Sequence, residues 1–95
     1  TLNQLCWVLS TSRNAAHRNP KRALALAQKI LQRFGNNPHA VDTAATALAI
    51  NTQFEKASQL TQRALVMAQK RRDSRLIKEL QNRLSLYQQG KPFLR

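Results

Sequence analysis

Apolar side chains recur three and four positions apart along most of this chain, and that spacing predicts α-helices. Strand signals are missing from the pattern, because β-branched residues nowhere alternate with polar ones over a useful length. The good helix formers Ala, Leu, Gln, Lys and Arg dominate instead. We therefore predict an all-α fold of five helices, whose apolar stripes begin near Leu2, Ala23, Val41, Phe54 and Leu76.

Two Asn-Pro pairs predict where the second and third helices begin. Asn19 and Asn37 can each accept a free backbone amide of the first turn, and Pro20 and Pro38 fit the first helical position because no useful donor is lost there. Because an Asn-Pro pair precedes both apolar stripes, we expect the two helices to start in the same way.

The other boundaries follow from Gly, Thr and charged residues. Thr52 and Glu55 have the spacing of a capping box for the fourth helix, Gly35 is expected to end the second helix, and Gly90 the fifth. The remaining expectations are a first helix over about 2–10, a polar loop over 11–18, a fifth helix over about 74–89 and a loosely held tail over 91–95.

An internal repeat of 34 residues emerges when 22–31 is laid over 56–65. Arg22 then pairs with Lys56, Ala23 with Ala57, Leu26 with Leu60 and Leu31 with Leu65. The first and third helices match at an offset of 39 residues, because Leu5-Cys6 and Leu9 align with Ala44-Ala45 and Leu48. The loop over 11–18 therefore carries five extra residues.

A helix-turn-helix unit of this length resembles the tetratricopeptide repeat, which needs small side chains where helix axes approach closely. The small positions of the second copy are occupied by Ala45, Ala57 and Ala64, and the first copy has Cys6, Ala23 and Ile30 in these places. Thr61 and Ala27 replace the large aromatic of the family, so each copy is degenerate.

The resemblance implies an α-solenoid of antiparallel helix pairs, with repeat 1 over about 1–35, repeat 2 over about 36–72, a C-terminal capping helix over about 73–90 and a tail over 91–95. The chain also resembles the C-terminal part of longer bacterial tetratricopeptide proteins. That likeness is carried by Leu5-Cys6-Trp7, Arg18-Asn19-Pro20, Asp42-Thr43-Ala44, Arg83-Leu84, Tyr87 and Gly90-Lys91-Pro92. The alternative is a plain helical bundle with a coincidental 34-residue similarity.

In this family the first helix of each pair lines a concave groove that holds extended or helical peptides. The resemblance therefore implies that the groove is lined by Asn3, Trp7 and Ser10 from the first helix and by His39, Asp42, Thr46 and Ala49 from the third. Trp7 is the strongest candidate anchor, because aromatic residues bury a large area at a low entropic cost. The alternative for Trp7 is packing within the fold, on the long loop or on the third helix.

Some members of the family capture a peptide carboxylate with Lys, Arg and Asn in the groove. Here Asp42 puts a negative charge where a donor is needed, and only Arg75, Lys78 and Arg83 remain as candidate cations on the fifth helix. We do not expect a carboxylate clamp.

Charge changes the picture of the outer surface. Sixteen Lys and Arg against four Asp and Glu give a net charge of +12, which divides into +6 over 1–35, zero over 36–69 and +6 over 70–95. A basic band is predicted from the spacing of Arg22, Lys29, Lys56, Arg63 and Lys70, and the resemblance places it on the convex side. A second basic cluster is expected at the turn into the fifth helix, where Lys70 is followed by Arg71, Arg72 and Arg75. Such a band can contact phosphates. The chain lacks the stacking aromatics and recognition motifs of nucleic-acid modules, so an acidic protein is the favoured partner and nucleic acid is not.

Catalytic, metal and cofactor sites are not expected in 95 residues with this composition. His17 and His39 fall in different repeats without a third ligand, Cys6 takes a crossing position that suits an inert buried thiol, and Asp42 and Glu55 are isolated from each other.

We also expect no membrane span, because no apolar run approaches the required length. The chain begins with Thr1, which suggests a piece of a longer protein, and a signal-peptide pattern is missing from its start. The compartment stays open, with the cytoplasm slightly favoured. An N-terminal helix that lacks an upstream neighbour would present apolar surface, and this favours self-association.

The leading hypothesis is a non-catalytic scaffold that binds a protein or peptide in its groove. The first alternative is a module that binds polyanions or nucleic acid through the basic band. The second is an accessory domain of a larger enzyme.

Overall fold

The computed structural model describes residues 2–12 and 19–94 and confirms the all-α prediction. Its helices are α1 (Leu2–Thr11), α2 (Pro20–Phe34), α3 (Pro38–Ile50), α4 (Phe54–Lys70) and α5 (Ser74–Gln88). The described ranges contain no strand. Most of the expected loop over 11–18, with His17 in it, lies outside the described residues, as do Thr1 and Arg95.

Both Asn-Pro starts are confirmed. The side-chain oxygen of Asn19 accepts a hydrogen bond from the backbone N–H of Arg22 at 3.2 Å, and that of Asn37 accepts from the N–H groups of His39 at 2.9 Å and Ala40 at 3.5 Å. Each asparagine thereby satisfies amides that have no partner inside the helix.

The predicted capping box at Thr52 is wrong. The residue that precedes α4 is Gln53, and its side chain makes no capping hydrogen bond. Thr52 closes the end of α3 instead: its N–H donates to Ala49 O at 3.0 Å, the N–H of Gln53 donates to Leu48 O at 2.9 Å, and Thr52 has a φ of +63°. This is the Schellman arrangement, in which the residue after the helix takes the left-handed conformation.

Two glycines end helices for different reasons. Gly90 follows α5 with a φ of +72°, which is the left-handed conformation that suits glycine. Gly35 follows α2 with an ordinary φ of −60°, but a Cβ at this position would lie 2.8 Å from the carbonyl oxygen of Leu31. Gly35 is therefore required by close approach rather than by backbone conformation.

The five helices pack in chain order, each against the next, and α1 also packs against α3. Residues 40–47 of α3 are all buried, so this helix forms the centre of the fold. Side chains at the predicted crossing positions are fully buried, namely Cys6, Ala23, Ala45, Ala57 and Ala64. Small residues at these positions allow the helix axes to approach closely.

None of the helices in the described ranges has both the length and the apolar character that crossing a membrane requires.

Candidate functional site

A shallow recess of about 190 Å³ lies where side chains of α1, α3 and α5 meet. Its lining consists of Asn3 and Trp7 from α1, His39, Asp42 and Thr43 from α3, and Glu79 and Arg83 from α5. The recess therefore contains four of the seven residues that the resemblance assigns to the groove.

The floor of the recess is an ion pair between Arg83 of α5 and Asp42 of α3. Nη1 of Arg83 donates a short hydrogen bond to Oδ2 of Asp42, and the two side chains are only 9% and 6% exposed. Nη2 of Arg83 also lies 3.8 Å from Oε2 of Glu79, one turn earlier on α5. Arg83 thus joins the last helix to the central helix in a region from which water is largely excluded.

Two aromatic rings cover the same guanidinium group. The guanidinium carbon of Arg83 lies 4.9 Å from the ring centroid of Trp7 and 4.6 Å from that of Phe93. The two ring centroids lie 5.7 Å apart, with the ring planes at 42°. Trp7, Arg83 and Phe93 therefore form a triangle of mutual contacts, which we call the aromatic–arginine cluster, and both rings can stabilise the cation.

Phe93 belongs to the tail that was expected to be loosely held. Its ring is half-buried and packs against the part of the core that contains Ala45, Ala49 and Tyr87. The tail is anchored in the backbone as well, because the N–H of Lys91 donates to Leu86 O at 2.9 Å. Across the described residues, no backbone hydrogen bond in the turns and loops involves a residue beyond Lys91. From Pro92 onward the described tail is consequently held through side chains.

Burial sets the electrostatics of the site. It raises the pKa of Asp42 to about 6, because removal from water disfavours the carboxylate, and the nearby charge of Glu79 adds to the rise while Arg83 opposes it. One carboxylate oxygen, Oδ1, is buried without a hydrogen-bond partner among the described residues, which is consistent with incomplete compensation of its charge. Burial also raises the pKa of Tyr87, and Asp42 contributes to that rise.

The three remaining groove candidates are buried. Thr46 is 1% exposed and its hydroxyl donates to Thr43 O at 2.6 Å, while Ser10 is 0% exposed and its hydroxyl donates to Cys6 O at 2.7 Å. Ala49 is also buried, at 1% exposure. These residues lie within the packed helices and present no side chain to a partner.

The roles of Arg83 and Phe93 in this site were not predicted from the sequence. Arg83 was considered only as a cation for a carboxylate clamp, although it lies on the same stripe of α5 as Leu76, Leu80 and Tyr87. That position on an apolar stripe was the signal that could have identified a buried, paired arginine. For Phe93, which follows the last helix, the sequence carried no comparable signal.

The predicted basic surface is exposed to solvent. All eight of its members are exposed, and they are Arg22, Lys29, Lys56, Arg63, Lys70, Arg71, Arg72 and Arg75. Arg63 donates a hydrogen bond to Gly35 O at 3.0 Å, and Arg75 lies 3.6 Å from the Glu79 carboxylate. The others present charge along α2, along α4 and at the turn into α5.

The remaining candidate groups lie apart from one another. Cys6 is fully buried, its thiol donates to Ala23 O at 3.4 Å, and burial raises its pKa. His39 is exposed at the edge of the recess. Within residues 2–12 and 19–94, no three His, Cys, Asp or Glu side chains form a group that could hold a metal ion.

The chain matches no protein-family model, and neither curated proteins nor solved structures yield a match to it.

Proposed function

We propose that this chain is a non-catalytic, tetratricopeptide-like scaffold that binds a protein or peptide segment on the face where α1, α3 and α5 meet. The observation that carries the proposal is the recess, because all three of these helices contribute residues to its lining. Four of its lining residues are those that the resemblance assigns to a peptide-binding groove. Trp7 supplies apolar area, and His39 and Glu79 supply polar groups at the edge.

The tetratricopeptide arrangement is supported by the burial of the small residues. Cys6 and Ala45, which the resemblance makes equivalent, are both fully buried, and so are Ala23 and Ala57. The packing of α1 against both α2 and α3 also fits a stack of helix pairs. In such a stack α1, α3 and α5 share one face, which is the face of the recess.

The preferred partner is an acidic segment. The chain has a net charge of +12, and this field increases the rate of encounter with acidic proteins. The charge is spread over exposed side chains, whereas the recess itself contains the paired Arg83 and Asp42. Charge therefore serves to attract the partner, and the recess provides the specific contacts.

Selection of a random peptide library on the immobilised protein, followed by chemical-shift mapping of enriched peptides, tests the proposal. We expect the shifts to fall on α1, α3 and α5, and the Trp7→Ala and His39→Ala variants to bind more weakly by about tenfold or more. Gln62→Ala, on the exposed surface of α4, serves as the matched control and should bind as the wild type does. Shifts confined to α2 and α4 would contradict the proposal.

A polyanion-binding module is the second candidate, and the exposure of all eight residues of the basic surface favours it. In that case binding to unrelated acidic polymers should weaken equally and steeply as salt rises, because each phosphate contact releases counterions. Binding through the recess should depend on peptide sequence and respond to salt less steeply.

A further inference from the structure

The C-terminal tail places an aromatic side chain on the face proposed for partner binding. Phe93 contacts both Trp7 and Arg83, at centroid distances of 5.7 Å from the Trp7 ring and 4.6 Å from the guanidinium carbon. Trp7 and Arg83 also line the recess. The tail thus already occupies part of the surface that an incoming segment would use.

The tail contacts this surface through side chains rather than through its backbone. Among the described residues, the backbone beyond Lys91 makes no hydrogen bond to another backbone group outside the helices. Residues 91–94 form neither helix nor turn. Gly90 has a φ of +72° and ends α5. Its N–H donates to Tyr87 O, and the N–H of Lys91 donates to Leu86 O. The segment beyond Lys91 can therefore leave the surface without unwinding the helix.

We propose that the surface beneath Phe93 is a docking site for the aromatic side chain of an extended acidic segment from a partner protein, and that Phe93 fills it in cis until the partner displaces it. The proposal rests on the proposed function and specifies the chemistry of its partner. The partner's side chain should be aromatic, because Arg83 offers a cation to the π face of a ring and Trp7 offers a second ring to pack against.

Charge complementarity indicates that the residues around the partner's aromatic side chain are acidic. The residues that flank the tail's own Pro92-Phe93-Leu94 are Lys91 and Arg95, which are basic and belong to a chain of net charge +12. The tail is therefore repelled by the field of the chain that it covers. An extended segment with the same aromatic core and acidic flanks is attracted by that field, so it is the better ligand for the same surface.

Three synthetic peptides test this assignment: acetyl-Glu-Pro-Phe-Leu-Glu-amide, the tail-like acetyl-Lys-Pro-Phe-Leu-Arg-amide and the ring-free acetyl-Glu-Pro-Ala-Leu-Glu-amide. Trp7 is the only tryptophan, so its fluorescence reports binding at this surface. The proteins compared are the wild type, Phe93→Ala and a chain that ends at Gly90, with circular dichroism confirming that each is folded.

We expect the acidic aromatic peptide to bind Phe93→Ala and the shortened chain about tenfold more tightly than the wild type. If the tail fills the site about nine-tenths of the time, only about one-tenth of the molecules have a free site, and the apparent affinity of a competing peptide falls about tenfold. The tail-like peptide should bind more weakly than the acidic one, and the ring-free peptide should leave Trp7 unperturbed. In the wild type, saturating acidic aromatic peptide should shift the Phe93 ring resonances to unfolded values.

Equal affinity for the wild type and Phe93→Ala would overturn the assignment, and so would equal binding of the aromatic and ring-free peptides. If the shortened chain does not fold, the affinity of Phe93→Ala and the Phe93 resonances of the wild type still test the assignment. Peptides without an aromatic residue that nevertheless bind at the recess would leave the proposed function intact while removing this inference.

Discussion

Arg83 and Asp42, which are 41 positions apart in the chain, form an ion pair that is almost entirely buried. The pair connects α5 to α3, and Trp7 of α1 covers the same guanidinium. One arginine therefore links the three helices whose side chains line the recess. Buried ion pairs do not by themselves stabilise a fold, because both charges lose their hydration, but loss of one partner leaves the other uncompensated.

We expect Asp42→Ala to lower the free energy of unfolding by about 3 to 5 kcal/mol, because the buried Arg83 charge loses its closest partner and keeps only the Glu79 carboxylate at 3.8 Å. The double variant Asp42→Ala, Arg83→Met should lose much less than the sum of the two single changes. Urea denaturation of all four proteins gives the coupling energy. Additivity within about 0.5 kcal/mol would show that the two side chains do not interact.

The pH dependence of stability should carry the signature of Asp42. Its pKa in the folded protein, about 6, lies above the ordinary value of 3.8, so the folded state holds this proton more tightly than the unfolded state does. The wild type should therefore lose stability relative to Asp42→Asn as the pH rises from about 4 to about 6, and the difference should be constant above pH 7.

A carboxyl-carbon NMR titration of Asp42 gives the direct measurement. The charged or titratable groups around Asp42 are Arg83, Glu79 and Tyr87 from α5 and His39 from its own helix. All four are present in Asp42→Asn, which makes it the matched control. A titration midpoint below the ordinary value of 3.8 would mean that Arg83 outweighs burial.

The close helix crossings should tolerate no added volume. Ala45→Leu and Ala64→Leu should each lower the free energy of unfolding by about 1 to 3 kcal/mol, because both alanines are fully buried and a larger side chain must separate the helices. Ala25→Leu makes the same change at an exposed position of α2 and should alter stability by less than about 0.5 kcal/mol. Unchanged denaturation midpoints for both buried variants would rule out close packing at these crossings.

Thr52→Gly should stabilise the protein by about 0.5 to 1 kcal/mol. Thr52 has a φ of +63°, and the left-handed conformation costs a residue with a Cβ about 1 to 2 kcal/mol, part of which is offset by the greater flexibility of glycine in the unfolded chain. Thermal unfolding would reveal the gain. Gln59→Gly introduces glycine at an exposed position inside α4, where the backbone is helical, and this control should destabilise the protein by about 1 kcal/mol. A loss of stability in Thr52→Gly would mean that the threonine side chain contributes more than its backbone conformation costs.

The helices and most of their boundaries were predictable from the sequence because they depend on neighbours in the chain. Asn19 and Asn37 cap helices through amides only two or three residues away. Thr52 was assigned incorrectly, because the same residue can start one helix or close the previous one. Only the path of the chain between α3 and α4 decided between the two.

The sequence by itself determined the helical content and the buried stripes, since each is set by spacing within about one or two turns. The tertiary structure alone decided that Arg83 turns inward to Asp42 and that Phe93 returns to cover Trp7. Helical periodicity says which residues share a face, but not which distant residue faces them. The buried charge of Arg83 is compensated by a carboxylate of α3 and by aromatic rings of α1 and the tail, and these groups meet only in the folded chain.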